Sequence, residues 1–328
     1  MTGGMRRTAA VVLNYRGAGD TVDCVASLLQ LDRALDVIVV DNDSGDGSLE
    51  LLRAELPKML AGLSNIVFQE LDAPTAQVDW GDRNERALLL VGSGRNGGYA
   101  FGNNIGAKLA LQRPDTAFIW VLNNDTIVPD ASSLDALIAR MDQDETIGIC
   151  GSTVVYSPLS KGIQTRAGSL FQPLRGRFMP LGAGGSPSDT VDTVAIERSL
   201  AYVNGAASFI RRALYDVVGP MREDLFLYYE EYDWACRLKP HFRLGYAVDS
   251  IVYHKVGATI GTEGDGGGSP LSAYYLSRNR IRLMAQYMPA SLPMAIADEL
   301  LSAIRAWRAG HRRKCNVILR ALTGRKYA

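Results

Sequence analysis

Two stretches of the chain put acidic side chains where chemistry needs them. In Phe118–Thr126, the apolar run Phe118-Ile119-Trp120-Val121-Leu122 stops abruptly at Asn123, Asn124 and Asp125. Such a run predicts a buried strand, and parallel α/β sheets bind ligands outside the carboxyl ends of their strands. A carboxylate delivered there suits a metal or a phosphate region, although Asn and Asp also serve plain turns and helix caps. In Phe226–Leu238, Glu230, Glu231 and Asp233 cluster among aromatics at a predicted helix N-terminus. There the helix dipole and free amides can hold negative charge; an acidic first turn that only stabilises its helix is the alternative. His254 follows the apolar run Val248–Val252 and is one of three histidines, with His241 and His311.

The elements that must position these groups alternate. Thr8–Leu13 runs into Asn14-Tyr15, and Val37–Val40 runs into Asp41-Asn42, repeating the design of Phe118–Asp125. Continuous Val- and Ile-rich runs are the pattern of strands buried on both faces of a parallel sheet. Helices are predicted between them, from Asp20 to about Leu31 and from Ser48 to Leu56 before Pro57. The pattern reads as βαβ units in a doubly wound α/β sheet, with three polar strand ends meeting at one edge. Residues 70–86 read as an acidic surface insertion without chemistry, and Ala87–Val91 as a further strand.

After that strand comes Gly92-Ser93-Gly94-Arg95-Asn96-Gly97, which satisfies GxGxxG, with a helix expected from about Gly102 to Leu111. The dinucleotide fingerprint belongs in the first βα turn and needs an acidic residue about 20 positions on. Neither condition is met, so a Gly- and Asn-rich loop lying against a nucleotide is the simpler reading. Leu134, Leu137, Ile138 and Met141 mark a core helix, and Ile147–Cys150 a strand. Residues 152–200 are expected to form loops and irregular strands carrying Arg166, Arg175 and Arg177. Tyr202–Arg212 reads as a strand with small residues at Gly205, Ala206 and Ala207, where something approaches the backbone closely. Gly261–Pro270 reads as a linker or lid, and Leu271–Tyr287 as a helix whose Arg278 and Arg280 suit phosphate.

Composition removes several classes. Lys plus Arg balances Asp plus Glu at 35 each, so the chain is no polycation for nucleic acid. Cys24, Cys150, Cys236 and Cys315 are far apart and form no CxxC pair, which fits a reducing compartment. No signal peptide is expected behind Arg6-Arg7, and no apolar window of about 18 residues predicts a membrane span. Charge is concentrated at the end, where no acidic residue follows Glu299.

In this order, Val12–Tyr15, Val40–Ser44 with Asp46-Gly47-Ser48, Asn96–Asn104, Leu122–Asp125, Tyr229–Asp233 and Tyr253-His254-Lys255 resemble the family 2 glycosyltransferases of the GT-A fold. Among these the bacterial rhamnosyltransferase-like members are the most similar, over about residues 9–288. The resemblance implies a glycosyltransferase domain over 1–288, with a nucleotide-sugar half to about 150 and an acceptor half to 288. A basic helical extension over 289–328 follows, with Ile296, Leu300, Ile304 and Trp307 at helical spacing.

The resemblance also implies roles. Asn14 and Tyr15 would line the nucleotide, and Asp41 would bind its base or ribose. Asn96, Gly98, Asn103, Asn124 and Arg278 would complete the donor site. Asp125, with His254, would hold Mg²⁺ or Mn²⁺ across the diphosphate, although Asn123 replaces the first carboxylate of the family's DxD motif. Glu231 would be the base of an inverting transfer, with Glu230 and Asp233 binding acceptor or orienting it. The donor implied is a dTDP- or UDP-sugar, dTDP-rhamnose foremost, and the acceptor a saccharide or polyprenyl-linked saccharide. The implied location is cytoplasmic; the basic C-terminal helix reads either as a contact with the inner membrane face or as a helix packed on the domain or in a dimer contact. Two other readings remain: an NAD(P) oxidoreductase using Gly92–Gly97, and a silent nucleotide-sugar-binding protein.

Overall fold

The structure, a computed structural model, describes residues 6–82, 84–157, 162–255 and 269–327. The first half alternates as its periodicity demands: β1 (Arg7–Asn14), α1 (Ala18–Leu29), β2 (Leu35–Asp41), α2 (Ser48–Glu55), β3 (Ile66–Leu71), β4 (Arg86–Gly92), α3 (Tyr99–Leu111) and β5 (Thr116–Asn123). Next come β6 (Thr126–Ile127), α4 (Ala131–Gln143), β7 (Ile147–Tyr156), β8 (Ile163–Arg166), β9 (Gly168–Gln172), β10 (Arg177–Pro180) and α5 (Thr193–Ser199). The chain then forms β11 (Tyr202–Val203), β12 (Ala207–Arg211), α6 (Arg212–Val217), α7 (Glu230–Leu238) and β13 (Arg243–His254). Three helices follow, α8 (Pro270–Tyr287), α9 (Leu292–Arg308) and α10 (Arg312–Leu322).

Ten strands form one sheet in the order β3-β4-β2-β1-β5-β12-β7-β13-β6, with β8 beside β7. The strands from β3 to β5 are parallel, and β12 enters antiparallel between β5 and β7. Alternate side chains point to opposite faces, so each central strand feeds two cores. Ala10, Val12, Val37, Val39, Leu88 and Leu90 pack with α1, α2 and α4. Ala9, Val11, Leu13, Ile38, Val40 and Leu89 pack with α3, α6 and α7. Burial on both faces is why these strands read as unbroken apolar runs. Register sets Asn14 beside Asp41 and Leu13 beside Asn123, so the polar ends of β1, β2 and β5 do converge.

Several boundaries differ from expectation. β3 was hidden because it is an edge strand with no fully buried residue and with polar Gln69 and Glu70, not a buried run. The acidic insertion behind it is tied down from below, where Arg113 donates to the carbonyls of Asp82 and Glu85 and lies over the Trp80 ring. The single strand expected at Tyr202–Arg212 is two, β11 in a small sheet with β9 and β10, and β12 in the large one. α3 starts at Tyr99, three residues before its expected start at Gly102. The C-terminal helix is broken at Gly310, whose φ of +84° reverses the chain into α10. The Gly261–Pro270 loop lies, but for its last two residues, outside the described residues.

Candidate active site

The ends of β1, β2 and β5 form a framework of side chains that satisfy one another. Asn14 Nδ2 donates to Asp41 Oδ2 at 2.6 Å, and its Oδ1 accepts from Thr21 Oγ1 at 2.8 Å. Asn124 Nδ2 donates to Gly17 O and to Thr21 Oγ1, each at 3.1 Å. Both asparagines are buried, with their amide nitrogens spent inside the protein. They brace the first βα turn. Asp41 also accepts from Ser44 N at 3.1 Å and Ser44 Oγ at 2.6 Å. A carboxylate has about four acceptor positions, so Asp41 keeps one unfilled. Tyr15 is half-buried under the Arg16 guanidinium, 5.2 Å from the ring centre.

One strand end further on, His254 Nε2 lies 3.0 Å from Asp125 Oδ1. His254 Nδ1 faces Gln164 Oε1 at 2.8 Å. An amide oxygen only accepts, so Nδ1 is the donor in that contact and Nε2 is turned toward Asp125. An imidazole oriented through its other nitrogen is the arrangement of metal-ligating histidines. Asn123 Nδ2 stands 3.5 Å from the same Nε2, where the resembled pattern has a carboxylate. Among the described residues no group of three His, Cys, Asp or Glu side chains could hold an ion. Asp125 and His254 would by themselves supply two ligands, so a divalent cation held there would take its remaining ligands from phosphate oxygens and water, as Mg²⁺ or Mn²⁺ accepts beside a nucleotide.

The acidic helix reaches this edge through Gly205. Ala206 O accepts from Asn123 N at 3.0 Å, so the turn before β12 abuts the end of β5. Tyr99 OH donates to Gly205 O at 2.7 Å. A Cβ on Gly205 would sit 2.0 Å from Glu231 Oε1, so the carboxylate lies directly against this glycine. The missing side chain at Gly205 thus makes room for Glu231. Burial raises the Glu231 carboxyl above its ordinary range. Glu230 is 1% exposed with Oε1 unpaired, and burial, then the adjacent Glu231 charge, push its carboxyl well above that range. Asp233 differs from both. It is buried and accepts from Arg237 Nε at 2.8 Å, Tyr287 OH at 2.8 Å and Arg222 Nη1 at 3.3 Å, which makes it an anchor for α7.

The loop before α7 carries Phe226, Tyr228 and Tyr229 at φ of +67°, +70° and +75°. Non-glycine residues in that region cost energy and persist only where their surroundings hold them. Asn279 on α8 does so: its Nδ2 donates to Leu225 O and Leu227 O at 2.9 Å and to Tyr228 O at 3.1 Å. From the other side, Tyr99 N donates to Phe226 O at 2.8 Å, and a Cβ on Gly98 would lie 2.1 Å from that oxygen. This contact decides the glycine loop. A dinucleotide pyrophosphate would need the N-terminus of α3, and the Phe226 carbonyl already fills it. The oxidoreductase reading loses its phosphate cradle.

The other sequence candidates divide. Asn96 Oδ1 accepts from Asn42 Nδ2 and Gly98 N, each at 3.1 Å, shaping the glycine loop. Asn103 is buried within α3 and donates to Tyr99 O at 3.0 Å. Arg278 Nη1 keeps to local acceptors, Asn279 Oδ1 at 2.9 Å and Asp224 O at 3.4 Å. Arg280, read as a phosphate ligand, instead pairs with Asp298 and Glu299 at 2.8 Å and joins α8 to α9. Gln164 and Asn279 were missed because amides far along the chain carry no spacing signal. The role of Gly205 was half visible in its run of small residues.

No family model matches the sequence. A low-salt glycan biosynthesis hexosyltransferase of Haloferax volcanii is 22% identical over 186 residues, 55% of each chain. The chain thus spans about half the length of the curated relative it matches. Among solved structures, a mannosyltransferase of Pyrobaculum calidifontis in complex with GDP-Man and Mn²⁺ superposes with TM-score 0.53 at 14% identity, over 98% of this chain and 75% of that one. GalNAc-T7 with UDP, GalNAc and Mn²⁺ gives 0.57 at 14% identity over 86% and 48%. TarS of S. aureus, residues 1–349, gives 0.50 at 14% identity over 98% and 93%. With the mostly parallel sheet and the helices on both its faces, these likenesses show that the chain has the GT-A fold.

Proposed function

We propose that the chain is a glycosyltransferase that moves a sugar from a nucleotide-activated donor to an acceptor hydroxyl with inversion. The observation that carries this reading is the Gly205–Ala206 turn. It holds the Glu231 carboxylate against Gly205, while the next carbonyl, Ala206 O, accepts from Asn123 N two residues before Asp125. The GT-A fold and the transferases that share it support the reading. A rhamnosyl donor rests on the sequence resemblance alone.

In this mechanism Glu231 accepts the proton of the acceptor hydroxyl as that oxygen bonds to the anomeric carbon. The anomeric C–O bond breaks on the opposite side, and its electron pair leaves with the nucleoside diphosphate. A raised carboxyl pKa brings the base nearer to working pH. Burial raises the Glu230 carboxyl as well, so a proton held between these two adjacent acids would avoid a second negative charge beside the base. Asp125 and His254 are the residues that would hold a divalent ion, which would neutralise charge on the departing diphosphate. Asp41 and the glycine loop after β4 would receive the nucleoside.

Glu231→Gln tests the assignment. Transfer is expected to stop while calorimetric donor binding persists; normal turnover would move the base elsewhere. A nucleotide-sugar-binding protein without catalysis would bind donor and release no diphosphate in either form.

A further inference from the structure

The solvent face of α9 is the more apolar one. Its inner face against α8 and α10 is built from Ala295, Glu299, Ala303 and Ala306. Its outer side carries Met294, Leu301 and Ile304, each about half exposed, and Trp307 at 63%. A surface helix ordinarily turns its apolar stripe to the core. Here positions 294, 297, 301, 304 and 308 share one stripe by helical spacing, and it faces outward. The expected apolar spacing at Ile296, Leu300, Ile304 and Trp307 therefore does not seal the extension onto the domain.

A second element extends the same surface. Leu174, at the turn between β9 and β10, is 87% exposed. A pocket of about 240 Å³ lined by Arg175, Arg177, Met294, Ala297, Asp298 and Leu301 joins that turn to α9. Arg280 fixes the junction by donating to Gly176 O at 2.8 Å and pairing with Asp298. Asp298, the acid at this surface, is thereby neutralised. Arg175 and Arg177 line the pocket with these apolar residues and Arg305 and Arg308 lie on α9 itself, while no acid follows Glu299 although the whole chain is neutral.

We propose that α9 and the Leu174 turn dock in the plane of an anionic lipid bilayer. Apolar side chains and a Trp framed by arginines suit the boundary between acyl chains and headgroups, where aliphatic stems bury and guanidinium groups reach phosphate. A second copy of the chain fits less well, since a two-fold contact would set both basic rims against each other. No helix among the described residues is long and apolar enough to cross a membrane, so the contact is interfacial. The inference is independent of the transfer reaction.

The test is co-sedimentation of the full chain with phosphatidylcholine or phosphatidylglycerol vesicles, at low and high salt. Binding to phosphatidylglycerol alone, weakened by salt, is expected. Leu301→Glu with Trp307→Glu, and separately Leu174→Glu, should lower the partition coefficient by more than about tenfold, with thermal melting unchanged because these side chains are exposed. Failure to bind phosphatidylglycerol, or equal binding by wild type and variants, overturns the proposal. A concentration-dependent dimer that the double variant abolishes would overturn it too, by giving the face to a second copy.

Discussion

Gly205→Ala adds one methyl group where the proposed base meets the strand ends. The new Cβ would stand 2.0 Å from Glu231 Oε1 and 3.0 Å from its Cδ and from Tyr99 Oη. Carbon contacts relax at about 3.5 Å, so the carboxylate oxygen must move by roughly 1.5 Å. Gly205 is not among the positive-φ residues, so alanine fits the backbone and the fold should survive. Misplacing a reacting group by about 1 Å costs on the order of 10²-fold in rate, or about 2.7 kcal/mol of barrier. We therefore expect kcat to fall by about 10²-fold while the donor Kd holds. Pairing the change with Glu231→Asp makes the test specific. The shorter side chain withdraws from the added methyl, so alanine should cost much less in the Asp background than in the wild type. Unchanged kcat, or costs that simply add, would refute the contact as the source of the effect.

Other consequences follow from the buried acids and the strained loop. Glu231 acts only when ionised, so transfer should be lost as pH falls through its raised pKa; an acid limb of kcat/KM at or below about pH 4.3, the ordinary glutamate value, would contradict this. Glu230 has a folded-state pKa above its unfolded value, so its contribution to stability is full below the unfolded pKa and is lost as pH rises through the folded one. Glu230→Gln should accordingly melt no lower than wild type at neutral pH, its advantage vanishing below about pH 4; a lower melting temperature at neutral pH would refute the unpaired burial. Asn279→Leu removes the donor shared by three carbonyls and should cost on the order of 2 kcal/mol in denaturant melts while lowering kcat. Asn279→Asp should not rescue it, because a carboxylate would face those same oxygens; full activity in either variant would detach the loop from catalysis.

The sheet was legible because burial on both faces writes β1, β2 and β5 as unbroken apolar runs, and their polar ends follow directly. The carboxylates were legible as types, yet not as roles. Only the fold distinguishes Asp233, closed by two arginines and a tyrosine, from Glu231 on the neighbouring face of one helical turn. Asn14 and Asn124 stand at polar strand ends in the sequence, and only the fold shows that both amides also brace the first βα turn through Thr21. Asn279 and Gln164 act across long sequence separations, which local periodicity cannot encode. The outward apolar face of α9 was invisible for a similar reason. Helical spacing shows that a stripe exists, and the packing of α8 and α10 decides which side is covered.

Release of nucleoside diphosphate from a panel of nucleotide-sugars, with and without Mn²⁺, tests the transferase directly, since water can stand in slowly for the acceptor. Metal-stimulated release from at least one donor is predicted, with Asp125→Ala abolishing the response to Mn²⁺ and Glu231→Gln abolishing release. No release from any donor, with or without metal, would contradict it.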